Sequence, residues 1–200
     1  MNKTLLALAV AALAQGYAQV ASAAVLDFET LSHADELMAE AGHSYLEDGF
    51  VLSNLSEFSF VTYGTQNPFF SGSTALINDN DAGETRLAQS GNGAFALYSI
   101  DLAAMYPGYA EEGVDVTFAG LKMDGSLVTQ TFHVADGAPQ TFSFSNFNNL
   151  ASVSWNNDAM YHQFDNINVA AVPEPEGYAM FLAGLGLMGA IARRRKGSAG

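Results

Sequence analysis

Val114-Asp115-Val116-Thr117-Phe118 alternates apolar and polar residues without a break. Such period-two alternation puts one set of side chains on each face of a β-strand and leaves one face for a core. The same pattern recurs in Thr141-Phe142-Ser143-Phe144-Ser145 and in Ser152-Val153-Ser154-Trp155, where Trp155 alternates with Val153 and belongs in the core. Asp124-Gly125 separates two such runs and reads as a tight hairpin turn, and Asp136-Gly137 marks another. Further strands are expected at Val25 to Glu29, Tyr45 to Leu52, Phe58 to Tyr63, Ala75 to Ile77, Gly93 to Asp101 and Phe164 to Val169. One helix is expected from Ser32 to Ala41, with Ser32 as N-cap, acids in the first turn and Gly42 as its stop. Many short strands with Gly- and Asn-rich turns give an all-β, two-layer antiparallel β-sandwich with one short N-terminal helix.

Both ends of the chain depart from this pattern. Lys3, an apolar run from Leu5 to Leu13 and the small residues Ala21-Ser22-Ala23 make the three parts of a secretory signal peptide, 1–23, for signal peptidase to cut after Ala23. At the other end, Pro173-Glu174-Pro175 precedes an uncharged apolar stretch, 177–192, and then Arg193-Arg194-Arg195-Lys196. The stretch is expected to be a membrane helix, with the basic cluster held on the cytoplasmic side. That leaves 24–170 as a β-sandwich ectodomain and 171–200 as a tail.

The 200 residues hold 21 acids against seven basic residues and no cysteine. A formal charge of −14 excludes a nucleic-acid binder, because nothing would neutralise phosphates. The missing cysteines exclude disulfides and thiolate chemistry. Between the two ends lie nineteen of the acids and, of the basic residues, only Arg86 and Lys122, a formal −17. Such a body is soluble and attracts cations. Asn78-Asp79-Asn80-Asp81-Ala82-Gly83-Glu84 offers the oxygens calcium uses, with Asp79 and Asp81 as candidate ligands, although the spacing is not that of an EF-hand.

No nucleophile elbow and no zinc-binding helix is present, and the four histidines lack ligand spacing. The chain is therefore expected not to be an enzyme, with a carboxylate-pair glycan hydrolase as an alternative. Loop aromatics Phe69, Phe70, Tyr106 and Tyr109 are candidates for stacking on a sugar ring, which makes a carbohydrate-binding module the other alternative.

The tail, with its Pro-Glu-Pro, short Gly-rich apolar helix and Arg cluster in that order, resembles the PEP-CTERM sorting signal. The resemblance implies an exported bacterial envelope protein, held for a time in the inner membrane by the C-terminal helix. It further implies processing by exosortase near Pro173, Glu174 and Pro175, and a structural or adhesive place in an exopolysaccharide matrix. The body, which opens with Leu26-Asp27-Phe28-Glu29 and closes with Phe164-Asp165-Asn166-Ile167-Asn168-Val169, looks like the jelly-roll of carbohydrate-binding modules. In those modules first and last strands lie side by side. By that resemblance, Glu29 and Asp165 are the positions implied for a structural calcium.

Overall fold

A computed structural model describes residues 23–80, 82–105, 113–135, 137–156, 161–172 and 182–189. Ala23–Val172 forms one compact unit. Its strands are β1 (Ala23–Leu26), β2 (Met38–Gly42), β3 (Ser44–Glu47), β4 (Phe50–Asn54), β5 (Phe60–Tyr63), β6 (Ile77–Asn78) and β7 (Glu84–Gln89). They continue with β8 (Phe95–Ala104), β9 (Val114–Lys122), β10 (Leu127–Val134), β11 (Gln140–Ser143), β12 (Leu150–Asn156) and β13 (His162–Ala171).

All pairings are antiparallel. One layer runs β10-β9-β12-β7-β4-β3. The other runs β1-β13-β8-β11. The first and last strands lie side by side, Ala23 opposite Ala170 through Leu26 opposite Ile167. A single pairing, Leu150 with Phe95, joins the layers at one corner. A small sheet, β2-β5-β6, continues the second layer through hydrogen bonds exchanged by Leu76 and Phe164.

The period-two reading of β9 holds: Val114, Val116 and Phe118 are buried while Asp115 and Thr117 are exposed. The core lies between the layers. Trp155 of β12 meets Phe164 of β13 edge-on at 5.2 Å, and Phe50 of β4 meets Phe95 of β8 at 5.6 Å. Phe118, Phe132, Phe144 and Phe147 extend the same aromatic packing toward β10 and β11. There Gln130 closes the edge by donating to the Ser143 carbonyl at 3.1 Å and accepting from the Ser145 N–H at 3.0 Å.

The helix expected over Ser32 to Ala41 does not form. A 3₁₀ turn, Glu29–Leu31, precedes it, and Met38–Gly42 is β2. Asp35 accepts from the Leu37 N–H at 2.9 Å, a local turn that competes with helix. The carbonyls of His33, Asp35 and Leu37 are then taken by the N–H groups of Thr65, Gln66 and Gly64. Tyr45 to Leu52 is likewise not one strand but the hairpin β3–β4. Asp48 and Gly49, at φ 47° and 80°, form its two-residue turn.

The leader 1–22, Asp136 of the second expected turn, the Pro-Glu-Pro motif and the basic cluster lie outside the described residues. Of the expected membrane helix 177–192, residues 182–189 are helical, and no described helix is long and apolar enough to cross a membrane.

Candidate functional site

A bulge shapes the one place where predicted residues converge. The register of β13 on β8 slips between Asp165 and Asn168, and Asn166 sits at φ 48°, a left-handed conformation that Asn tolerates. The extra residue turns the Asp165 carboxyl into the fold, where it is 4% exposed. Asp165 Oδ1 accepts from the Asn166 N–H at 2.7 Å, and Oδ2 accepts from the Ser73 hydroxyl. The Asn166 amide donates to Asp101 Oδ2 at 2.9 Å and to Asp165 Oδ2 at 3.3 Å, so it bridges two carboxylates that face each other across the β8–β13 ladder. Asp101 also accepts from the Thr141 hydroxyl.

Glu29 arrives from the other side. Phe28, at φ 55°, turns the chain out of β1, and the Glu29 carboxylate accepts from the Thr74 N–H at 2.9 Å and from the Thr74 hydroxyl at 3.0 Å. Glu29 and Asp165 thus hold neighbouring residues, Thr74 and Ser73, of the segment that connects β5 to β6. Gln163 holds the same segment further back by donating to the Phe69 carbonyl at 2.8 Å. Burial pushes the Asp165 carboxyl up to about 6. The Ser73 and Asn166 hydrogen bonds oppose that shift, and the charges of Asp101 and Glu29 add to it.

This arrangement bears on calcium. Both oxygens of Glu29 and both of Asp165 already accept hydrogen bonds, and among the described residues no group of three His, Asp or Glu is gathered as a metal ion would need. The second expected cation loop is organised differently. Asn78 and Asn80 are buried, and Asn78 Oδ1 accepts from the amides of Asn54 at 3.0 Å and Asn80 at 2.6 Å. Asn80 also exchanges hydrogen bonds with the Phe58 backbone at 2.7 and 2.8 Å. The Asn side chains therefore tie β4, β6 and the β4–β5 loop together. Burial raises Asp79, with Glu40 adding to the shift, and Asp81 lies outside the described residues.

Phe69, 37% exposed, packs on Tyr63 with ring centroids 5.5 Å apart. Phe70 is half-buried, and Tyr106 and Tyr109 lie outside the described residues. Trp155 is in the core, as its alternation requires. Asp101, Ser73, Thr74 and Asn166 were not singled out from the sequence. Only the Asp165-Asn166 doublet, a pair that favours left-handed backbone, carries a local signal there.

Residues 171–196 match the model of the PEP-CTERM protein-sorting motif, so the chain carries that motif at its C-terminus. No curated protein matches the chain. Among solved structures, a family 29 carbohydrate-binding module is similar over 76% of this chain and 89% of its own, at 12% identity and a TM-score of 0.43. The CBM22-1 xylan-binding domain from Paenibacillus barcinonensis is similar over 78% of this chain and 99% of its own, at 12% identity and a TM-score of 0.41. An exo-beta-agarase is similar over 77% of this chain but only 26% of its own, at 13% identity and a TM-score of 0.44.

Proposed function

We propose that this chain is an exported, non-catalytic β-sandwich with a structural or adhesive role in an exopolysaccharide matrix. One observation carries the reading: the sorting motif at 171–196 begins at Ala171, where the last strand of the sandwich ends. Signal peptidase removes the leader. The tail anchors the protein in the inner membrane until an exosortase-type enzyme cuts near Pro173-Glu174-Pro175. The body then remains at the cell envelope or in the surrounding matrix. Mass spectrometry of the surface-released form tests this reading, and the mature form is expected to lack Arg193 to Lys196. A released form that keeps those residues would overturn it.

A carbohydrate-binding module is the second reading, favoured by Phe69, 37% exposed and packed at a tilt on Tyr63. Pull-down on insoluble glycans separates the two: no retention on any glycan leaves the structural role. A hydrolase of matrix polymers would instead release reducing sugar and lose that activity on carboxylate substitution. Calcium between Glu29 and Asp165, or at Asp79 and Asp81, is a proposal that calorimetry tests directly. Absence of heat on adding calcium, with no change in melting in chelator, removes both sites.

A further inference from the structure

An edge strand presents unpaired N–H and C=O groups, and among the described strands all edges but one are guarded by shortness, charge or a bulge. β1, β3 and β11 are four residues long and β6 is two. β3 also carries Glu47, and β2 carries Glu40 beside a slip in register. β10 is different. It runs eight residues, Leu127–Val134, pairs with β9 without a slip, and holds no Asp, Glu, Lys, Arg or Pro. Among the described residues no strand takes its other edge. The Lys122 N–H donates to the Ser126 carbonyl at 2.9 Å, which sets the alternation of the hairpin ladder. Val128, Gln130 and Phe132 therefore bond to β9, while Thr129 and Thr131 turn their backbone groups to the open side.

The strand itself matches a second copy of this chain. Val128-Thr129-Gln130-Thr131-Phe132 reads alike in kind from either end: apolar, Thr, Gln, Thr, apolar. An antiparallel copy centred on Gln130 sets Val128 opposite Phe132 on the inner face and Thr129 opposite Thr131 on the outer, both favourable cross-strand pairs. The seam between the layers is also open on this side. Phe132 meets Phe142 at 4.9 Å and Phe144 at 5.1 Å, yet all three rings and Val128 are only half-buried. A second β10 extends the inner face past these rings and covers them. Charge does not oppose the contact locally. Of the nineteen acids of the body, the β9–β10 hairpin holds only Asp115 and Asp124. His133 engages Asp115 at 2.7 Å, and Asp124 lies at the tip, outside the paired residues.

We infer that two copies of this chain associate about a two-fold axis at Gln130, β10 pairing antiparallel with β10, so that their two six-stranded layers become one continuous sheet. Thr129 of each copy exchanges N–H···O bonds with Thr131 of the other, and Leu127 does so with His133. The same patch is used on both copies, so growth ends at the dimer. The remaining acids repel at longer range, and the association tightens as salt screens them. The dimer depends neither on glycan binding nor on the sorting tail.

Two measurements on the full-length chain in mild detergent test this. In light scattering after gel filtration, wild type is expected to reach dimer mass as its concentration rises, more readily at high salt than at low. Thr129→Lys with Thr131→Lys sets like charges opposite each other twice and should weaken the dimer about tenfold. Val25→Lys with Leu46→Lys, at two exposed positions on other edges, adds the same charge and should not weaken it. The chain has no cysteine, so Gln130→Cys reports the axis directly. Partners in a non-hydrogen-bonded antiparallel pair lie about 4.5 Å apart, within disulfide reach, so mild oxidation should link this variant to itself. Thr131→Cys, whose own copy lies two positions out of register, should link about fivefold less. A wild type that stays monomeric, a dimer that survives the lysine pair, or equal linking at 130 and 131 overturns the inference. Where one variant does not fold, the other measurement decides alone.

Discussion

Replacing Asp165 with Asn should change the slope of stability against pH. In the fold the carboxyl titrates near 6, against 3.8 in its ordinary state. The folded protein therefore holds a proton that the unfolded chain has lost, and stability falls as pH rises from about 4 to 6. Two units at 1.36 kcal/mol each set a ceiling of about 3 kcal/mol, and solvent screening reduces this to about 1–2 kcal/mol. His162 works in the opposite sense. Complete burial lowers its imidazole to about 4, so its contribution rises with pH over nearly the same window. The two slopes mask each other in the wild type, so the informative quantity is the difference between wild type and Asp165→Asn. The variant keeps an oxygen for the Asn166 N–H, which limits the constant offset between the two proteins. Melting followed by circular dichroism in chelator should show Asp165→Asn gaining about 3–6 °C on wild type between pH 4 and pH 7. Parallel melting curves across that range would refute the buried, like-charged setting of Asp165. Repeating the series in calcium adds a second readout. An ion between Glu29 and Asp165 would raise the wild-type melting temperature above pH 6 and leave the variant unmoved.

Three further outcomes are expected. His162→Leu should remove an acid sensitivity of about 3 kcal/mol between pH 6.5 and pH 4 and leave the opposite slope of Asp165, visible as a urea midpoint that rises relative to wild type on acidification. Gly83→Ala would place a Cβ 2.5 Å from Asn78 Oδ1 and 2.6 Å from Asn80 Cβ. It should cost about 1–3 kcal/mol in urea unfolding by forcing the Asn cluster apart, and an unchanged midpoint would argue against that packing. Phe69→Ala should leave stability within about 1 kcal/mol of wild type while lowering retention on any glycan that the loop contacts. Wild-type retention by the variant would take Phe69 out of the binding surface.

Sequence patterning made the sandwich legible where one face is buried and the other wet. Val114 to Phe118 and Ser152 to Trp155 show it, because alternation there reports burial directly. It failed where long-range contacts decide. Ser32 to Ala41 has a helix's cap and charges, but its carbonyls are claimed by residues 64–66, about thirty positions away. The strand β7, Glu84–Gln89, has only Thr85 and Leu87 turned inward, too short an alternation to stand out. At the candidate site, Glu29 and Asp165 could be named because they lie at the ends of the body. Ser73, Thr74 and Asp101 could not, since only the antiparallel pairing of Leu76, just before β6, with Phe164 of β13 and the β8–β13 ladder bring them there.

Pairing of β1 with β13 also sets where the polypeptide can be handled. Ala23 and Ala170 are ladder partners, so the chain enters and leaves the body one strand apart. A reporter fused just ahead of Ala23 would crowd the exit, whereas the exposed β9–β10 tip at Asp124 and Gly125 offers another insertion point. The same proximity makes a circular permutant feasible, its old ends bridged by a short linker and its new ones opened at that tip.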